Sequence, residues 1–269
     1  MACARTPTRP DWRDAASYEI LLDADRAAFA WEWLRRDPLY AGAASGALPD
    51  KATAAAAAWG LHAFENPSVA VPVARPFWTR DAHSLVLDAC AELRSEDSQA
   101  SGSGTAAGPA WSRSDLFDLQ RIRPQAMLLP GRTATHLLLS DGLRSIRLDV
   151  AGAALDQPVR LHYRFAGLAS VEAPLLVLRR LVSFWRSGRM SLALHPRETK
   201  ARRWIALLRT ADAREAGVSQ REIAAALLSG DAALAGWRLE TPSLRSRVQR
   251  LVRVAQQMGA GGWRRLLRP

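Results

Sequence analysis

Guanidinium and amide groups recur on one side of a helical pattern near the end of this 269-residue chain. They are Arg245, Ser246, Gln249, Arg250, Arg253, Gln256 and Gln257, with Ser243 just ahead of them. A guanidinium is a planar fork of donors that suits phosphate oxygens or the acceptor edge of guanine, and a glutamine amide suits adenine. These residue types at this spacing supply the chemistry of a surface that holds and reads duplex DNA. Leu244, Val248, Leu251, Val252, Ala255 and Met258 fall on the opposite side at a period of about 3.6 residues, so aliphatic packing would hold the polar face from behind.

The charge balance points the same way. Residues 179–269 hold 19 Arg or Lys against 6 Asp or Glu, while residues 1–178 hold 18 against 20, so the formal +11 belongs to one region. Cations gathered within reach of one backbone are what phosphate neutralisation and counterion release require. Only Lys51 and Lys200 are lysines among the 37 basic residues. Arginine abundance is thus also a property of the whole composition, and a solvated basic face would give the same count.

Other chemistries find no support. His62, His83, His136, His162 and His195 occur singly, without the H-E-x-x-H spacing of a zinc site, and read as ordinary core or surface histidines. Gly102, Gly104 and Gly108 lack the following lysine of a phosphate loop. Asp115 and Asp118 are the one acidic pair considered for a nuclease metal, and such a pair is common by chance. No enzyme activity, cofactor or metal is expected. Cys3 and Cys90 make no disulfide framework. The apolar run Leu175 to Trp185 is broken by Arg179 and Arg180, short of the ~20 residues that span a bilayer, and Met1 to Pro10 lacks the apolar core of a signal peptide. The expectation is a cytoplasmic protein without a membrane segment.

The elements that must position the basic face can be read in order. A first helix is expected from Asp23, as N-cap, to Arg36, with Pro38 forbidding much continuation, and a second from Asp50 to Gly60. Trp31 and Trp33 project about 200° apart on a helix. Either one of them meets another domain or subunit, or Trp31 packs under a neighbouring loop. Ser84 to Ala89, Thr135 to Leu139, Leu143 to Val150 and Val159 to Phe165 read as strands of a small antiparallel sheet with one wet face, and Ser140-Asp141-Gly142 as a hairpin turn. Residues 94–111, rich in Ser, Gly and Ala, read as a flexible loop.

A connecting helix is expected from Glu172 to Ser187, with Leu175, Leu178, Leu181, Val182 and Trp185 as the apolar side that packs the two halves together. A basic helix follows to Glu215, burying Trp204, Ile205, Leu208 and Ala211. Ser219 with Glu222 is a capping box, and Val218 with Ile223 a hydrophobic staple, which starts a helix carrying Arg221. The last helix runs from Ser243 to Gly259. Together these give an α+β fold: an N-terminal helical domain over 8–65, a central β-rich domain over 66–168, and a C-terminal basic, helix-turn-helix-like domain over 169–269. The connector Gly230 to Pro242 departs from the pattern, being far longer than the ~3 to 4 residues of the usual turn. A three-helix bundle with a solvated face accounts for the same spacing without DNA.

The run Arg197-Glu198-Thr199-Lys200, Val218-Ser219-Gln220-Arg221-Glu222-Ile223-Ala224, Ser243-Leu244-Arg245-Ser246-Arg247-Val248 and Gly261-Gly262-Trp263-Arg264-Arg265-Leu266-Leu267 resembles a proteobacterial domain once listed as unknown-function family 2285. That domain is linked to the DNA-binding part of RovC-type transcription regulators of type VI secretion. Pro10-Asp11-Trp12-Arg13-Asp14 and Trp31-Glu32-Trp33-Leu34-Arg35-Arg36 resemble the transcriptional-regulator-like domain that often precedes it. The resemblance implies an oligomeric regulator that binds double-stranded DNA. It does not imply control of secretion, since similar sequences accompany varied mobile elements. The expected contact residues are Arg221, Ser243, Arg245, Ser246, Gln249, Arg250, Arg253 and Gln257. The competing expectation is an oligomeric protein-interaction module with only non-specific nucleic-acid affinity.

Overall fold

A computed structural model describes residues 9–93, 115–229 and 242–268. The expected loop 94–111 and nearly all of the connector 230–242 lie outside the described residues. The chain divides into two compact units, the first built from residues up to His83 and from His195 onward with Gly142–Arg144, the second from Ser84–Asp141 and Ser145–Leu194.

The first unit is helical. A 3-10 helix, Ala16–Asp23, leads into α1, Arg26–Leu34. The N-cap of α1 is Asp25 rather than Asp23: the Asp25 carboxylate accepts from the Ala28 amide at 2.8 Å, while Asp23 accepts from Arg197. From Ala27 onward every residue of α1 is buried except Ala28, which explains how two tryptophans on opposite sides are both inside. Trp31 packs under a loop, its indole N–H donating to the Val69 carbonyl at 2.9 Å, and Trp33 is also buried.

Pro38 does not merely stop a helix. It stands at the first position of α2, Pro38–Gly46, where its missing N–H costs nothing, and Asp37 caps that turn through the Leu39 amide. α3, Pro49–Ala57, follows. Tyr40 of α2 sits edge-on to Trp31 and Trp59 in the same core.

In the second unit, among the described residues, β1 (Leu87–Leu93), β2 (Leu116–Phe117), β3 (Ala126–Pro130), β4 (Thr135–Ser140), β5 (Ser145–Gly152) and β6 (Val159–Arg164) form one open sheet in the order β2-β6-β1-β5-β4-β3. The α+β class is as expected, and all pairings are antiparallel except β1 with β5. The hairpin is present with Ser140 opposite Ser145, so Leu143 belongs to the turn rather than to β5. Gly142 has φ +98°, and a Cβ there would come within 2.5 Å of the Pro72 carbonyl oxygen, so glycine is required. Ser145, Ile146, Arg147 and Leu148 are all buried, so β5 lacks the wet face its alternation suggested. β2 and β3 carry little alternation and were not legible as strands.

α4, Glu172–Ser187, has the expected ends, with Gly188 left-handed past its last turn. Its phase differs. Val177, Leu181 and Phe184 are its buried side, packed with Leu87, Leu148 and Val159 of the sheet, while Leu175 and Val182 are exposed. Its apolar side therefore serves the core of the second unit.

Candidate nucleic-acid interface

Three helices of the first unit carry the basic region. α5, Ala201–Glu215, buries Trp204, Leu207 and Leu208 and leaves Arg202, Arg203 and Arg214 exposed. α6, Gln220–Ala224, begins at the expected capping box: the Ser219 hydroxyl accepts from the Glu222 amide, and the Glu222 carboxylate accepts from the Ser219 amide at 3.2 Å and from its hydroxyl at 2.8 Å. Those bonds hold the Glu222 pKa below its ordinary value. A π-helical turn, Ala225–Ser229, continues the segment. α7, Pro242–Gly259, is the last and longest of the three.

A shared core holds α7 in place. Leu244, Val248 and Val252 pack with Ile223 and Ala224 of α6 and Ala213 of α5, and the staple residue Val218 closes the edge. Further along, Ala255 joins Phe29, Trp31 and Trp204 in the core around α1. Trp12 completes the smaller core from the other end of the sequence, buried against these helices. Arg209 of α5 fixes that segment, donating to the Trp12 carbonyl at 2.8 Å and the Arg13 carbonyl at 2.9 Å. The motif around Trp12 is thus part of the basic helices' own packing.

With this inner stripe fixed, the outer face follows from helix geometry. At about 100° per residue, Arg245, Gln249, Arg253, Ser246, Gln257, Arg250 and Ser243 fall in that order across one arc of about 160°. All seven are exposed, as is Arg221 on α6. Arg247, not among the expected contacts, is exposed at the flank of the arc. The sequence of α7 contains no acidic residue. Among the described residues no carboxylate pairs with Arg245, Arg247, Arg250 or Arg253. A polyanion approaching this face would meet Arg245, Arg247, Arg250 and Arg253, which no carboxylate of the described residues neutralises.

Behind the face lies a buried ionic cluster that sequence reading missed. Arg36, just past the end of α1, grips Asp212 of α5 with two bonds, Nε to Oδ1 at 2.8 Å and Nη2 to Oδ2 at 2.9 Å, and also donates to the carboxylate and carbonyl of Glu32. Arg35 donates to the Glu32 carboxylate at 2.8 Å, whose other oxygen accepts from the Val71 amide. Tyr18 donates to Asp212 at 2.7 Å. Burial works against the charged form of Glu32, but Arg36 and Arg35 outweigh it and hold the pKa below its ordinary value. Burial, then the neighbouring Asp212, pushes the Tyr18 hydroxyl well up. The signal was present: charges at positions 32, 35 and 36 inside an otherwise apolar helix must be paired.

Three helices thus present an acid-free cationic helix, and buried ion pairs tie them to an N-terminal helical part of the same unit. Residues 11–62 match the proteobacterial transcriptional regulator-like domain, and residues 167–268 match the family described as the DNA-binding domain of a type VI secretion transcription factor, the RovC type. These matched domains indicate a transcriptional regulator with a DNA-binding domain. No curated protein matches it. Both matched families are non-enzymatic kinds of protein. Among the described residues no helix is long and apolar enough to cross a membrane.

Proposed function

We propose that the chain binds duplex DNA in a sequence-dependent way through the exposed face of α7, in the cytoplasm and as a homo-oligomer. The observation that supports this most is the placement of Arg245, Ser246, Gln249, Arg250, Arg253 and Gln257 on one exposed arc, with no acidic residue in the helix. Arginines would supply salt-dependent affinity through phosphates, and the glutamines with one or two arginines would contact base edges in the major groove. Arg221, at the start of α6, would add a backbone contact beside the same groove. The Ser219 capping box fixes the start of α6, and Ile223 transmits that placement to Val248.

The test is a salt titration of duplex binding by wild type and by the Arg250→Ala, Arg253→Ala double variant. Each phosphate contact contributes ~0.9 to the slope of log affinity against log salt, so losing two lowers the slope by ~2. Competition between a selected genomic fragment and random duplex at fixed salt separates specific from non-specific binding, which differ by ~10³ to 10⁷ in affinity. Unchanged slope and affinity in the folded double variant would refute the placement. Equal affinity for both duplexes, with assembly maintained in the absence of nucleic acid, would favour a protein-interaction module. Light scattering of the nucleic-acid-free protein reads the subunit number.

A further inference from the structure

The large apolar side chains left exposed are not evenly spread along the described residues. Of twelve, five fall between 165 and 192: Phe165, Leu168, Leu175, Val182 and Leu192. They belong to α4 and to the chain just before and after it, so this helix keeps a second apolar stripe outside after giving Val177, Leu181 and Phe184 to the sheet. Apolar side chains exposed one at a time are ordinary, whereas a concentration along one helix marks a contact surface.

The outward line of α4 has a definite order. Glu172, Leu175, Arg179, Val182 and Arg186 recur at alternating steps of three and four, all five are exposed, and no other residue from 172 to 186 is. Those steps are the spacing of a seam between two helices. An acid stands first and a base last, with aliphatic side chains second and fourth, so the line complements itself when reversed. Neither Glu172 nor Arg186 is in an ion pair among the described residues. In a parallel pair of such helices Glu172, Arg179 and Arg186 would each meet their own kind. An antiparallel pair leaves only Arg179 facing itself and makes every other contact favourable.

We propose that α4 packs antiparallel on α4 of a second copy of this chain, in an isologous dimer with its two-fold axis at Arg179. Glu172 then faces the partner's Arg186, and Leu175 faces the partner's Val182, each contact occurring twice. The same orientation brings the flank that carries Phe165 and Leu168 toward the end of the partner's helix that leads to the partner's Leu192. The stretch matched to the DNA-binding family, 167–268, begins with α4, so the pairing joins two such stretches and supplies two α7 faces, as an operator with two half-sites requires. The inference rests on the homo-oligomer reading above, to which it gives a surface, and is independent of the face proposed for DNA.

The full chain without nucleic acid is followed by sedimentation between about 1 and 100 μM. Wild type is expected to dimerise. Glu172→Arg and Arg186→Glu should each weaken the dimer at least about tenfold, because either reversal turns two attractive contacts into two repulsive ones. Combining them should restore it to within about threefold of wild type. Both reversals also oppose the dipole of α4, so a merely structural effect would be largest in the combined variant, where pairing predicts recovery. Arg179→Cys should give a disulfide-linked dimer under mild oxidation, beside wild type, whose Cys3 and Cys90 set the background. Leu175→Cys should not, since it lies about 12 Å along the axis from its own copy. A chain monomeric at every concentration would overturn both the interface and the homo-oligomer reading. An assembly that neither reversal weakens, that the combined variant does not restore, or that Leu175→Cys links as readily as Arg179→Cys would overturn the interface alone.

Discussion

Replacing Arg36 by methionine tests whether the two ends of the chain are held together by charge at the centre of the first unit. The substitution keeps most of the side-chain length but removes the two-pronged bond to Asp212 and the bonds to Glu32. Asp212 would then keep the Tyr18 hydroxyl and an Arg9 guanidinium 3.9 Å away, too far for a hydrogen bond. Breaking one side of a buried pair leaves an uncompensated buried charge and costs about 3 to 5 kcal/mol. A domain's total stability is about 5 to 15 kcal/mol, so the loss is a large fraction of it. At about 2 to 4 °C per kcal/mol for a unit of this size, the first unit's melting transition should fall by about 6 to 20 °C.

Calorimetry and guanidinium midpoints measure that fall, and the Asp212→Leu partner completes a double-mutant cycle. Removing both charges together should restore at least half of the loss, because an apolar replacement of a whole buried pair is often neutral. A loss below about 1 kcal/mol for Arg36→Met, or a double variant that loses the sum of the two singles, would refute the claim that these charges are coupled.

Ser219→Ala removes the N-cap of α6 and should cost about 0.5 to 2 kcal/mol, read as a lower Tm, while duplex affinity at low temperature stays unchanged. Trp12→Ala empties the small core behind α7 and should cost about 3 to 5 kcal/mol; because its cavity adjoins Val248, it should also weaken duplex binding in protein that remains folded, measured by anisotropy. Acid titration reads Glu32. Its pKa is depressed by folding, so its contribution is complete above the ordinary carboxylate value of about 4.3 and is lost as pH falls through the lower folded value. Glu32→Gln should therefore be less stable than wild type at neutral pH, and the gap should close progressively below about pH 4.3; a constant gap would exclude this account.

The exposed arc of α7 was legible because one long helix imposes one period: the stripe from Leu244 to Ala255 fixes which side is inside, and the rest follows. The Ser219 cap was legible for the same local reason, since both partners lie within four residues. Elements whose fate depends on distant partners were harder to read. α1 is buried all round, so no periodicity told Trp31 from Trp33. Arg36, just past its end, is satisfied by Asp212, 176 positions away. α4 was placed correctly, but its crowded apolar sequence admits two stripes, and the sheet selected the one through Val177 and Phe184. β3 was missed because Met127 and Leu128 are both exposed, so the strand shows no alternation. Pro38 was read as a terminator because proline both ends and starts helices, and only Asp37 before it tips the balance.

Trp263, Leu266 and Leu267 are buried in the core that surrounds α1, and His83 bonds the Leu267 carbonyl at 2.8 Å. The surroundings of α1 are therefore completed in part by the last described turn. Removal of the turn that carries Trp263, Leu266 and Leu267 would thus uncover part of the core around α1 without touching a single contact proposed for DNA.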